Sequence, residues 1–329
     1  GYAASNRNYN NRLMLTHSTG LSKKGWAFTL SGSRRWAEEG YVPGTFYNGY
    51  AYFVAVDKRI GQNHLLSLTA FGAPTENGRQ GAAVTEMLDL AGTNYYNPNW
   101  GYQNGEKRNA SIGRTHQPVI IMTHDFRLNN TTTLTTAAGF SFGKRSVTAL
   151  DWYNSADPRP DYYRYLPSYT STWASSTDPA QGQMLYDLMK SDINYRQINW
   201  QRLYDINRDS YATINDVNGV PGNTVSGRRS RYIIEERIIN TQRFNANSVI
   251  NTKFGENIDF TAGASYQLQR NHYYKEIDDL LGGDFYVNVN QFAERDFPAN
   301  NTVNQFDLDN PNRILKKGDQ FGYDYNINI

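Results

Sequence analysis

The chain has 329 residues, no cysteine, and 33 basic residues against 31 acidic ones. That composition excludes a disulfide framework and a thiolate metal site, and with no basic stripe along any segment it gives no sign of a nucleic-acid partner. No apolar run reaches the roughly 18 residues of a membrane helix, and the mean hydropathy of -0.70 reads on its own as soluble. Aromatic residues make up 14%, with 25 tyrosines. That excess suits a membrane interface, where one end of the ring is dry and the other wet, but also a β-sandwich core or a sugar-binding surface.

Gly1–Ser5 reads as a strand stub that turns at Asn6–Asn8 into a strand over Tyr9–Ser18. In the next strand, Trp26–Arg34, residues Trp26, Phe28, Leu30 and Gly32 alternate with Ala27, Thr29, Ser31 and Ser33. Side chains in a strand point alternately to opposite faces, so the first set faces lipid and the second faces inward. Tyr52–Ile60 and His64–Phe71 form a hairpin, as do Pro118–Leu128 and Thr132–Phe142, and Phe244–Phe254 with Ile258–Tyr274. Gly318–Ile329 opens a further hairpin that is not closed, so the chain reads as a piece of something larger. In it Phe321, Tyr323, Tyr325, Ile327 and Ile329 repeat the greasy row. The total is about nine full strands and a stub, each strand of the length that crosses a bilayer.

The connections alternate. Leu21–Gly25, Gly61–Asn63, Asn129–Thr131 and Gly255–Asn257 are tight polar turns with hairpin chemistry. Arg35–Tyr50, Ala73–Gln117, Lys144 to about Asn240 and Lys275–Gly318 are long. Short turns at one end and long loops at the other belong to an outer-membrane barrel. A soluble sandwich keeps its loops short at both ends. Two helices are expected inside the loops: Val84–Gly92, with Thr85 as cap and Met87, Leu88 and Leu90 as an apolar stripe, and Met184–Met189.

The loops hold the candidate chemistry. Asp205, Asn207, Asp209, Thr213 and Asp216 loosely follow calcium-loop spacing, but Ser210 stands where that loop needs glycine. A solvated polar loop is the stronger reading. Gly227–Tyr232 (GRRSRY) could hold an anion, or be a loop base or lumen wall. The five histidines show no metal-ligand spacing, and no nucleophile elbow occurs. Paired acids such as Glu38–Glu39 and Asp278–Asp279 do not by themselves mark catalysis, so no enzyme and no cofactor is expected. The aromatics Tyr95, Trp100 and Tyr102 in one loop, and Trp152 and Tyr163 beside Arg164 in the next, form flat platforms for a sugar or other amphipathic ligand. The plainer reading is that these rings pack the loops together.

Lys24–Tyr41 (KGWAFTLSGSRRWAEEGY), Leu66–Gly81 (LSLTAFGAPTENGRQG) and Phe140–Tyr169 resemble the barrel of TonB-dependent outer-membrane receptors, notably the kind common in gut-type Gram-negative bacteria. That resemblance implies one all-β domain over residues 1–329, an antiparallel transmembrane β-barrel represented by about 9–10 of roughly 22 strands, with long extracellular loops. The plug domain, the TonB box and a closing strand with a terminal aromatic are missing. The implied role of the intact protein is energised uptake of a scarce, bulky nutrient such as a glycan, siderophore, cobalamin-like ligand or peptide. Implied partners are outer-membrane lipid, the TonB complex through the missing plug, and a surface lipoprotein. Tyr95, Trp100, Tyr102, Trp152, Tyr163 and Arg164 are the candidate ligand contacts. A passive porin or adhesin barrel, and a soluble surface carbohydrate-binding β protein, stay open as alternatives.

Overall fold

A computed structural model describes residues 1–173 and 177–329. The first strands are β1 (Tyr2–Ala4), β2 (Asn11–Ser18), β3 (Trp26–Ala37), β4 (Tyr47–Ile60), β5 (His64–Gly72) and β6 (Thr75–Gly78). Helix α1 (Thr85–Ala91) follows, then β7 (Trp100–Gln103), β8 (Glu106–Asn109), β9 (Ile112–His116), β10 (Val119–Arg127) and β11 (Thr132–Trp152). Helices α2 (Pro179–Ser191) and α3 (Trp200–Asp209) lead through β12 (Tyr211–Ile214) and β13 (Val225–Arg228) to β14 (Tyr232–Phe254) and β15 (Ile258–Asp279). The chain continues with β16 (Tyr286–Val287), α4 (Gln291–Asp296), β17 (Ile314–Leu315) and β18 (Gln320–Asn328).

One antiparallel sheet dominates, in the order β1-β2-β3-β4-β5-β10-β11-β14-β15-β18. The hairpin turns fall where Gly25, Gly61 and Gly255 take left-handed backbone. β6 and β9 prolong β5 and β10 past Pro74 and Pro118, each of which removes one ladder donor without changing the register.

Cross-strand partners share a face, so the register decides which side chains meet. Leu30, Val54, Ala70, Ile120, Phe140, Phe244 and Leu268 lie opposite one another in succession across seven strands. Phe28, Val56, Leu68, Met122, Ala138, Ala246 and Tyr266 form the next row on the same face. These rows stand open: Leu30 is 60% exposed and Leu268 54%. The opposite face at mid-sheet carries Thr29, Thr69, Asn245 and Gln267. A continuous exposed apolar face of this extent is far beyond the scattered surface leucines of an ordinary soluble domain.

β18 departs from the expected row. Gln269 and Ile329 exchange both backbone N–H···O bonds at 2.8 Å, Ile327 lies opposite Asn271, and Tyr325 opposite Tyr273. The greasy row of β18 therefore sits on the polar face, not with the apolar rows of β2–β15. A register slip between Tyr274 and Lys275, taken up where Gly322 adopts φ +70°, leaves Lys275 opposite Phe321. Phe321 in turn is buried with Tyr153, Ile233 and Ile277, which anchors the row to that side.

Strands β11, β14 and β15 run 21, 23 and 22 residues, well past the expected ends near Phe142, Phe244 and Tyr274. Their extensions lose the two-faced pattern because both faces are covered. Ile233 packs with Phe285 and Val287 on one side, while Ile234 packs with Trp200 and Leu203 on the other. A strand buried on both faces reads as a plain apolar run.

The expected helices form, with differences. α1 begins at Thr85 and has Val84, not Thr85, at its cap position. Met184–Met189 lies inside α2, capped by Asp178. Asp205–Asp209 belongs to α3 and its end, which corrects the solvated polar loop expected there as well as the calcium-loop alternative. Asn199 caps that helix, and Trp200, Leu203 and Asn207 are its buried stripe. No helix among the described residues is long and apolar enough to cross a membrane.

Loop 38–46 shows how tightly the long-loop end is packed. Gly44 has φ +73°, and a Cβ placed there would lie 2.1 Å from Trp100 Cγ. Gly44→Ala is therefore expected to destabilise the loops by about 3 kcal/mol, the left-handed penalty adding to overpacking. Thermal melting of the purified protein followed by tryptophan fluorescence checks this; a melting temperature equal to wild type would contradict the packing described.

Candidate ligand groove beneath the long loops

Two adjoining cavities open where β11 ends. The larger, about 810 Å³, is lined by Trp152, Asp157, Tyr162, Arg164, Tyr165, Glu294 and Arg295, among others. The smaller, about 460 Å³, is lined by Asp151, Tyr153, Lys275, Tyr286, Phe306, Phe321 and Tyr323, among others. Trp152, Gln291 and Phe292 border both, so the two form one groove with a shared wall.

The walls are held by specific bonds. Asp157 and Arg159 make a forked ion pair, Nε to Oδ1 at 2.9 Å, with the Asp157 side chain only 7% exposed. That pair sets the Arg159 guanidinium over Trp152 at 5.5 Å and over Tyr162 at 5.8 Å, a cation–π geometry that fixes ring and cation together. Tyr162 meets Tyr163 and Tyr165 edge-on at 4.8 and 5.2 Å. Arg164 Nε donates to Tyr163 Oη at 2.9 Å. On the opposite wall Asn290 caps α4, and the Asn154 amide donates to Gln291 Oε1 at 2.6 Å. Tyr153 Oη donates to Glu294.

A buried ionic cluster forms the floor. Glu235 is fully buried and accepts from Arg237 Nε and Lys275 Nζ, each at 2.6 Å. The Lys275 ammonium also lies over the Phe321 ring at 4.5 Å. Burial pushes the neighbouring Asp151 carboxyl up, and the Glu235 charge pushes it further, with Lys275 pulling back. A carboxyl raised in the folded state stabilises most below its ordinary value of 3.8, and that contribution is lost as pH rises through the raised value. Docking of the 280–319 segment over Asp151 should therefore tighten on acidification, and Asp151→Asn should flatten that dependence. Hydrogen exchange at Tyr286–Val289 against pH tests it; identical profiles for wild type and variant would contradict it.

Of the six residues singled out in sequence, Trp152 and Arg164 line the groove and Tyr163 braces it. The other three lie on a different segment. Trp100 is buried, under the Lys107 ammonium and against Gly44. Tyr95 is exposed and meets Tyr41 edge-on, and Tyr102 is exposed beside Trp100. The groove's opposite wall was not legible as a site in the sequence. Gln291, Phe292, Glu294 and Phe306 come from a stretch read only as a long loop, where Phe285, Phe292, Phe297 and Phe306 recurring amid polar residues were the available signal.

The remaining motifs resolve into structure. Arg229 and Arg231 stack on Tyr153 at 3.9 and 5.4 Å, and Ser230 is buried between them, so GRRSRY is a loop base. Asp279 pairs with Arg108 at 2.6 Å. Glu39 accepts from Lys107 at 2.6 Å and from the Gly44 amide at 2.9 Å; burial pushes its carboxyl up, but these two partners outweigh burial and hold it below the usual range. His124 meets His64 at 3.0 Å on the apolar face. Among the described residues no group of three or more His, Asp or Glu is placed to hold a metal ion.

The chain matches no family model and no curated protein. It is similar to three solved receptors. They are the ferric preacinetobactin receptor BauA of Acinetobacter baumannii (12% identity, TM-score 0.42), the siderophore receptor PiuA of the same organism (9%, 0.36) and the ferric-catecholate import receptor Fiu of E. coli K12 (11%, 0.40). The matches cover 85%, 84% and 97% of this chain, but only 34%, 39% and 48% of those receptors. The chain thus spans between a third and a half of their length.

Proposed function

We propose that this chain is part of the barrel of a TonB-dependent outer-membrane receptor that takes up a bulky nutrient. The observation that carries the proposal is the apolar face that runs from β3 to β15, with short turns at one end and the long loops at the other. In this reading the rows through Leu30 and Leu68 face lipid, the opposite face lines the lumen, and the groove at Trp152 opens outside the cell. Its lining of aromatic rings, amides and balanced charge suits an amphipathic, hydroxyl-rich ligand such as a glycan, held by stacking and forked hydrogen bonds. The chain supplies binding surface and no reaction chemistry. Energy would come from TonB acting on a plug segment, and a surface lipoprotein would close the groove from above. Tyr163 and Arg164 set the groove's rim, while Tyr95, Trp100 and Tyr102 order the neighbouring loop.

The test uses the full-length gene product in detergent micelles. Titration with a pool of gluco-, xylo- and galacto-oligosaccharides, and separately with ferric catecholates, is followed by tryptophan fluorescence. Trp152→Ala is expected to weaken binding of the responding class about tenfold, the loss of one stacking platform. Equal binding by Trp152→Ala and wild type would remove the groove from the function.

A further inference from the structure

On β2–β15 most large apolar side chains share the apolar face, with Phe53, Phe71, Ile121 and Tyr273 on the other, whereas on β18 the whole row of Phe321, Tyr323, Tyr325, Ile327 and Ile329 lies on that other face. Phe321 and Tyr323 are already part of the smaller cavity. From there the rings continue along the wall. Tyr323 and Tyr325 lie 5.8 Å apart, and Tyr325 stacks on Tyr273 at 4.9 Å with their planes 11° apart. Tyr323 and Tyr325 remain 39% and 47% exposed. At about 3.3 Å per residue, the row from Phe321 to Ile329 spans roughly 26 Å, about the thickness of the apolar band itself.

The surrounding wall offers little competition for a ligand. Arg243 donates to Gln269 at 2.7 Å, Gln269 to Asn271 at 3.0 Å, and Thr241 to Asn271 at 2.9 Å. Lys275 is taken up by Glu235. The amides are spent on one another, the Arg237 and Arg243 guanidiniums stay exposed beside them, and the rings are the apolar surface left free. Successive rings favour a ring-bearing solute that can stack in many near-equivalent registers, and guanidiniums beside them can donate to its hydroxyls.

Resting on the uptake reading above, we infer that Phe321, Tyr323, Tyr325 and Tyr273 form an aromatic track that passes an oligosaccharide from the groove along the inner wall. Phe321 and Tyr323 serve both groove and track, whereas Tyr325 and Tyr273 lie beyond the groove, so capture and passage separate experimentally at those two rings. The occupant is the transported solute; permanent packing of another segment of the receptor against the row is the competing outcome.

The experiment uses the full-length receptor in cells, with a fluorescent pool of short gluco-, xylo- and galacto-oligosaccharides as probe. Binding to purified receptor and rate of uptake are measured for wild type, the Tyr273→Ala/Tyr325→Ala double variant, whose two rings lie outside the groove, and Tyr325→Phe. Expected are binding by the double variant within about twofold of wild type, uptake reduced about tenfold, and near-normal uptake by Tyr325→Phe, which keeps the ring. Should the double variant fail to insert, Tyr325→Leu keeps the volume without the ring and is expected to slow uptake in the same direction. Unchanged uptake in the ring-deleted variants overturns the track. So does a joint loss of thermal stability and binding, which marks the row as a packing surface. Wild-type receptor that neither binds nor imports the pool sinks the oligosaccharide reading itself and the track with it.

Discussion

Asn207→Ala should destabilise the long-loop end by more than about 4 kcal/mol, enough to release α3 from the sheet. The side chain is fully buried and both ends of its amide are in use. Its Nδ2 donates to the carbonyls of Tyr232, Leu280 and Leu281 at 2.8, 3.0 and 3.1 Å. Its Oδ1 accepts from the amides of Arg231 and Tyr232 at 2.7 and 3.0 Å. The residue thus joins α3, the start of β14 and the chain leaving β15. Alanine leaves five buried backbone contacts without this partner and adds a cavity, and each unsatisfied buried group costs roughly 1–3 kcal/mol. Asn207→Asp keeps the acceptor but loses the donor and buries a charge, so it should rescue little. Limited proteolysis across residues 196–231 and urea unfolding read the effect. A variant as resistant as wild type would show that the helix is held by Trp200 and Leu203 alone.

Glu235→Ala is expected to cost about 3–5 kcal/mol, the range for breaking a buried ion pair from one side. The loss falls on Lys275, whose side chain is 16% exposed, more than on Arg237, which is 57% exposed and finds water. Asp151 stands close enough to take over part of the charge. With Glu235 gone, burial still raises its carboxyl, but the added push of the Glu235 charge is removed and the pull of Lys275 favours ionisation. Glu235→Ala combined with Asp151→Asn should therefore lose more than the two single changes added together, a coupling of about 1 kcal/mol or more. Glu235→Leu with Lys275→Met removes both charges and should recover most of the stability. Unfolding midpoints for the four variants in one detergent settle the comparison. Strict additivity would mean that Asp151 does not share the site.

How legible these features were follows from which faces were wet. Along Trp26–Gly32 and Ile258–Leu268 one face is apolar and the other polar, so alternation alone marks both the strand and its two sides. Gly61 and Gly255 mark the turns because a left-handed residue is needed there. Past Phe142 and Phe244 the same strands gain cover on both sides, alternation fades, and their last turns of sequence looked like loop. In β18 the alternation was plain, but period two shows only that two faces differ. The pairing of Gln269 with Ile329, not the row's own composition, decides which face is which. α3 was misread because Asp205, Asn207 and Asp209 looked like a solvated polar loop that only loosely followed calcium-loop spacing. The stripe of Trp200, Leu203 and Asn207 behind the cap Asn199 was the better signal. In the groove, Trp152 and Arg164 stood out as an aromatic and a cation in one loop, whereas Gln291 and Phe306 join them only through the fold.

The central claim is that the apolar face of the sheet lies against lipid. Because the chain contains no cysteine, single cysteines can be placed one at a time at Leu30, Leu68 and Leu268, and at their neighbours Ser31, Ser67 and Gln267, without removing any other. Each is spin-labelled in the full-length protein reconstituted in phospholipid vesicles, and collision with oxygen is compared with collision with a water-soluble nickel chelate. The account predicts high oxygen and low nickel accessibility at Leu30, Leu68 and Leu268, and the reverse at Ser31, Ser67 and Gln267. High nickel accessibility at both sets, in a protein that stays in solution without detergent, would contradict it.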